Sequence, residues 1–126
     1  MPICMVIDAT HGIVRTTWTG EIRFADLQAH YRSLMSNADA MALRRSLVDA
    51  RASTVLLSGE DMRTALAARV QPVLTTSHWA TAILVHGDVQ YGVARQFLVF
   101  AESLGTHQIF EDEALALSWL LQQNPS

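Results

Sequence analysis

The chain has 126 residues, 50% of them hydrophobic and 17% charged, a balance that fits one compact domain with a continuous core and excludes a disordered segment. Its net charge of −3 provides no basic field to hold a polyanion, so nucleic acid is not an expected partner. All nine basic residues are Arg, which closes off chemistry that needs a lysine amine, such as a Schiff base, a pyridoxal phosphate anchor or a P-loop.

In chain order, Ile3 to Ile7 is a short apolar run, and Gly12 to Thr19 alternates Ile13, Arg15 and Thr17 against Val14, Thr16 and Trp18. That period belongs to half-buried strands, and the intervening Asp8-Ala-Thr-His-Gly12 has turn composition, so the two predict an antiparallel hairpin. Phe24, Leu27, Tyr31, Leu34 and Met35 then recur at helical spacing, predicting an amphipathic helix from about Phe24 to Ala38, with Asn37 and Asp39 at its end. Arg44 to Asp49 reads as a strand that stops at Asp49. Ser58-Gly-Glu-Asp61 offers a capping hydroxyl and first-turn acids to a helix of about Gly59 to Gln71, carrying Met62, Leu66 and Val70 and stopped by Pro72. Ala80 to Val85 is a continuous apolar run, as in a strand covered on both faces, and it ends at His86-Gly-Asp88. Asp88 is placed to cap a third helix with the stripe Val89, Val93, Phe97, Phe100 and Leu104, ended by Gly105. His107 to Phe110 is a last short strand, and Asp112 caps a final helix with Leu115, Trp119 and Leu120. Trp18 and Trp119 are assigned to the core or its rim.

One cysteine, Cys4, permits no intrachain disulfide and no thiolate-rich metal site. The N-terminal apolar run is broken by Asp8 before it reaches signal-peptide length, and no stretch approaches the roughly 20 apolar residues of a membrane span. A cytoplasmic location is the resulting expectation. His11, His30, His78 and His107 form no helix-spaced pair and read as surface or turn residues, so neither a metal nor a cofactor is expected.

Strands alternating with helices, after one hairpin, imply an α/β domain with a mainly parallel sheet of about five strands, an antiparallel edge and about four helices. This order is accompanied by four local signatures: Gly20-Glu-Ile-Arg-Phe-Ala-Asp-Leu27 at the first helix, Leu47-Val-Asp-Ala-Arg51, Ala82-Ile-Leu-Val-His-Gly-Asp88, and Phe110-Glu-Asp-Glu-Ala-Leu-Ala-Leu-Ser-Trp-Leu120. Together they resemble the SpoIIAA-like (STAS-like) family of single domains, a group placed near SEC14-like domains. The resemblance implies the fold over most of the chain; for function it implies either a binding or interaction module or a phosphoprotein switch. Anti-sigma-factor antagonists carry a phosphorylatable Ser after an Asp, whereas here the nearest equivalent, Ser58, follows Leu56-Leu57. Arg23 stands where the family usually has a capping Ser or Thr.

In an open parallel sheet, ligands bind beyond the carboxyl ends of the strands, which makes Asp49, Arg51, His86 and Asp88 candidate ligand-binding residues for an anion or, with His86 as acid or base, a proton transfer. The structural alternative is that Asp49 ties a loop, Asp88 caps its helix and His86 is merely exposed. Ser58 at a helix N-terminus is a candidate phosphorylation site, or simply a cap. Tyr91, Leu98 and Val99, with Arg95 between, lie off the core stripe of the third helix. They face a partner subunit in a homodimer, wall an apolar groove with Met35, Met62 and Trp79, or pack under loops. The leading expectation is a non-enzymatic module for a small apolar or anionic ligand or a regulatory protein partner. The alternatives are a phospho-switch at Ser58 and an enzyme using His86 with Asp49 or Asp88.

Overall fold

A computed structural model describes residues 2–65, 79–101 and 105–123. The strands are β1 (Ile3–Asp8), β2 (Ile13–Ile22), β3 (Arg45–Val55), β4 (Trp79–Leu84) and β5 (Gly105–Phe110), and they form one sheet in sequential order. β1 and β2 make the expected antiparallel hairpin, with Ile7 opposite Val14, and every later pairing is parallel. The hairpin turn is clasped by Asp8, whose carboxylate accepts from the His11 backbone N–H and from Arg15 Nε at 2.8 Å, with His11 Nδ1 also at 2.8 Å. These partners hold the Asp8 carboxyl well below the usual range, Arg15 most of all.

The helices are α1 (Phe24–Met35), α2 (Ala38–Leu43), α3 (Gly59–Ala65), α4 (Gly87–Ala101) and α5 (Glu113–Gln122). The first expected helix is therefore split. Asn37 starts α2 instead of closing α1, because its side-chain oxygen accepts the Ala40 N–H at 3.0 Å. Arg23 makes no side-chain cap on α1, and Asp26 reaches back instead to accept the Arg23 N–H at 2.9 Å. Asp112 caps α5 by accepting the Leu115 N–H at 3.0 Å. Leu66, Val70, Pro72, His78 and Leu104 lie outside the described residues.

Two further corrections bear on the site. β3 does not stop at Asp49: pairing with β4 ends at Asp49 and Leu84, but the strand continues to Val55 against β2 alone. Over that stretch β3 carries one residue more than β2, a bulge bridged by the Ser53 hydroxyl donating to Ala50 O at 2.7 Å. In α4, Val89 is 83% exposed; the inward residues include Gln90, Val93, Ala94, Phe97 and Leu98. Asp88 lies in the first turn of α4, which begins two residues earlier than a cap at Asp88 would require. The cap-like contact comes from Gln90, whose Oε1 accepts the His86 N–H at 2.7 Å.

Sequential strand order with crossovers of one hand places the connecting helices on the same face of a sheet. Accordingly α1 and α4 cover one face, meeting Val14, Trp79, Ile83 and Val85, and among the described residues α5 alone covers the other, where Ala116 and Leu120 bury Ile13, Leu47, Ala80, Ala82 and Leu84. Trp119 closes that second core at 5.7 Å from the Phe110 ring. Gly105, at φ +137°, begins β5 so close to β4 that a β-carbon would lie 2.0 Å from Trp79 O. No helix among the described residues is long and apolar enough to cross a membrane.

Candidate functional site

The polar residues at the strand ends do not converge. Asp49 and Arg51 pair with each other, Nε to Oδ1 at 2.9 Å and Nη2 to Oδ2 at 2.8 Å, and Arg51 reaches Glu113 of α5 at 3.1 Å. The Arg51 guanidinium holds the Asp49 carboxyl below its ordinary range, and Asp49 raises the guanidinium in return. His86 is exposed on the α4 side, and among the described residues no hydrogen bond or ion pair joins its ring to Asp49, Arg51 or Asp88. What does link the two strand ends is Gln90, whose amide donates to Arg51 O and Ser53 O, both at 3.0 Å, fastening the start of α4 to the β3 bulge.

Ser58 is exposed and its hydroxyl accepts the Asp61 N–H at 3.0 Å, while the Asp61 carboxylate accepts the Ser58 N–H at 3.2 Å. This reciprocal capping box occupies the hydroxyl and sets a carboxylate beside it, where a phosphate would meet like charge. On α4, Tyr91 and Val99 point outward at 42% and 68% exposure with Arg95 between them, whereas Leu98 packs onto Ile83, Val85 and Ala94.

A cavity of about 390 Å³ lies between α1, α4 and the sheet. Its size is that of a small-molecule site. Leu27, Tyr31 and Leu34 form the α1 wall, Val93, Ala94 and Phe97 the α4 wall, and Val48, Ile83 and Val85 part of the floor. Met62 and Trp79 line it as the groove reading expected; Met35 does not, nor do Tyr91, Leu98 and Val99. His86 and Val89 sit at its exposed rim.

Two of the lining residues carry a buried N–H without a partner. Trp18 Nε1 and Trp79 Nε1 are buried, and neither meets a hydrogen-bond acceptor among the described residues. His30 and His107 line the cavity as well, correcting their reading as surface or turn residues. Burial pushes the His30 imidazole down to about 4 and lowers that of His107, whose ring also meets Phe97 edge-on at 6.3 Å. Both rings are therefore uncharged at neutral pH. Burial likewise raises the Tyr31 phenol above its ordinary range. Ser46 and Thr81, unremarkable in the sequence, lie on the same floor. The signal that finds them is strand register, which composition and periodicity do not carry. Among the described residues no group of three or more His, Cys, Asp or Glu is placed to hold a metal.

No protein-family model matches the chain, and no curated protein does. Among solved structures, it is similar to an uncharacterized protein of the DUF3478 family from Shewanella loihica PV-4 with a SpoIIAA-like fold. The two share 21% identity with a TM-score of 0.63, over 94% of this chain and 93% of that one. At that identity the likeness establishes the fold, an α/β domain of SpoIIAA-like type, as the resemblance implied.

Proposed function

We propose that this protein is a binding module that encloses a small, mostly apolar molecule between α1, α4 and the sheet, and that it performs no reaction on it. The observation that carries this reading is the cavity itself, about 390 Å³ with a mostly apolar lining that includes Trp18 and Trp79. A ligand enclosed there gains about 25 cal/mol for each Å² of apolar surface it removes from water. No described lining residue is a carboxylate or a guanidinium, and no hydrogen bond joins a lining hydroxyl to a lining imidazole among the described residues, which supports binding over catalysis.

The test is uptake of diphenylhexatriene, an uncharged polyene that fluoresces in apolar surroundings, together with native mass spectrometry of freshly purified protein. Saturable uptake at one molecule per chain, or a retained small molecule at that ratio, is the expected result. Protein that carries no ligand and takes up no polyene at tens of micromolar overturns the reading.

A second reading, self-association through the outer face of α4, is favoured by Tyr91 and Val99, which expose apolar surface on either side of Arg95. Aromatic and Arg side chains around an apolar patch are the composition of an interface centre. Because Leu98 is part of the core, Val99→Glu is the appropriate probe: sedimentation should show a dimer that this variant splits into folded monomers. A monomeric wild type removes this reading and leaves the cavity untouched.

A further inference from the structure

We propose that the molecule held in the cavity is uncharged and sets a hydrogen-bonding head group, of the alcohol, ketone or primary amide kind, on a polar row made by Ser46, Thr81 and His107. The inference rests on the ligand-binding reading above and narrows it to a ligand class.

Register places Ser46 beside Thr81 and Thr81 beside His107 on three neighbouring parallel strands, and all three line the cavity. At the usual strand spacing the row is about 10 Å across. The next row on the same face, Val48, Ile83 and Ile109, is apolar throughout, as central strands covered on both faces usually are. The Ser46 and Thr81 hydroxyls make no hydrogen bond to any described residue, so the fold gains nothing from them. Trp79 lies two residues before Thr81 on the same face of β4, is 3% exposed, and lines the same cavity. An indole can only donate, whereas hydroxyls and a neutral imidazole can donate or accept. The set is matched by a head group that offers an acceptor and at least one further polar site.

Charge decides between a neutral and an anionic head. No described lining residue is an Asp, Glu or Arg, the chain has no Lys, and both enclosed histidines are held neutral by burial. A carboxylate or phosphate taken into this space would lose its hydration with no cation opposite, and an ammonium would find no carboxylate.

The experiment compares decanamide with decanoate as competitors for bound diphenylhexatriene at pH 7.5. Decanamide should displace the polyene at a concentration about 10-fold lower than decanoate. Thr81→Val, which exchanges the hydroxyl for a methyl, should weaken decanamide about 3- to 10-fold, the range of one net hydrogen bond, and leave polyene affinity within about twofold. Ser46→Ala provides the same comparison if Thr81→Val folds poorly, and polyene uptake reports the fold of either variant. If polyene binds but decanoate competes as well as decanamide, or neither variant changes the preference, the head-group assignment is wrong and the cavity reading stands. If neither polyene nor decanamide binds, both fall.

Discussion

Ala94→Leu tests whether the space under α4 is real, because the sign of its effect depends on it. Ala94 is 7% exposed, lines the cavity, and packs between Ile83 and Val85. Leu is nearly as good a helix former as Ala, so helix propensity contributes little. The substitution adds a branched group of three carbons; at about 0.8 kcal/mol per buried carbon, an open cavity would reward it with up to about 2 kcal/mol. That corresponds to a rise in Tm of about 5–10 °C for a domain of this size. In an already filled wall the same group would overpack and cost about 1–3 kcal/mol. Urea titration and calorimetry of ligand-free protein read the difference directly. The variant should be more stable than the parent and should take up less diphenylhexatriene. A loss of 1 kcal/mol or more would mean that protein atoms already fill the space, and the cavity would lose its functional meaning.

The enclosed histidine makes a pH prediction. Because burial depresses the folded-state pKa of His30 to about 4, its contribution is intact above the unfolded value near 6.5 and is lost as pH falls toward 4, by up to about 3 kcal/mol, with His107 acting in the same direction. His30→Leu should flatten the fall in urea midpoint between pH 6.5 and 4.5, a window above the titration of Asp8 and Asp49; an unchanged slope would place His30 in solvent. Gly105→Ala should cost about 3 kcal/mol or more, or prevent folding, since the added carbon collides with the Trp79 backbone; a loss below 1 kcal/mol in the same titration would contradict the β4–β5 approach. Asn37→Ala should cost about 1 kcal/mol by removing the cap of α2, whereas Asn37→Asp should retain most of it.

Most of the fold was legible in the sequence, because its elements announce themselves locally. The hairpin has turn residues between two short apolar runs, β4 is an uninterrupted apolar run, and Asp112 stands before a helical pattern. The misreadings share a cause. Asn37 was taken for a stop because a residue that caps a following helix looks, from the preceding helix, like its end. The polar run after Asp49 resembles a loop, yet it pairs with the end of β2 alone and never needs a second apolar face. On α4, an i, i+4 stripe through Val89 and Val93 fitted the pattern, but the helix is turned by about one residue, so Gln90 and Ala94 face inward and Val89 does not. The candidate site was less accessible. Asp49, Arg51, His86 and Asp88 stand out by position at strand ends, but the first two pair with each other, Arg51 also reaching Glu113, and the others are exposed. Ser46, Thr81 and His107 lie far apart in the chain and become neighbours only through strand register. No local pattern could have grouped them.

The two faces of the sheet divide the work. Against α5, the alanines at positions 80, 82 and 116 permit close approach, and Ile13, Leu47, Leu84 and Leu120 fill what remains, so this face is a solid core with almost no polar atom. Against α1 and α4, the apolar contacts separate into two clusters that share only Phe97, and the cavity lies between them. Net folding free energies are about 5–15 kcal/mol and each unfilled methyl costs about 1, so a domain that leaves one face incompletely packed draws correspondingly more of its stability from the other. The polar row, the unpaired indoles and the neutral histidines all fall on the incompletely packed side. Ser46, Thr81 and His107 line the cavity on that side, and strand register is what brings the three together.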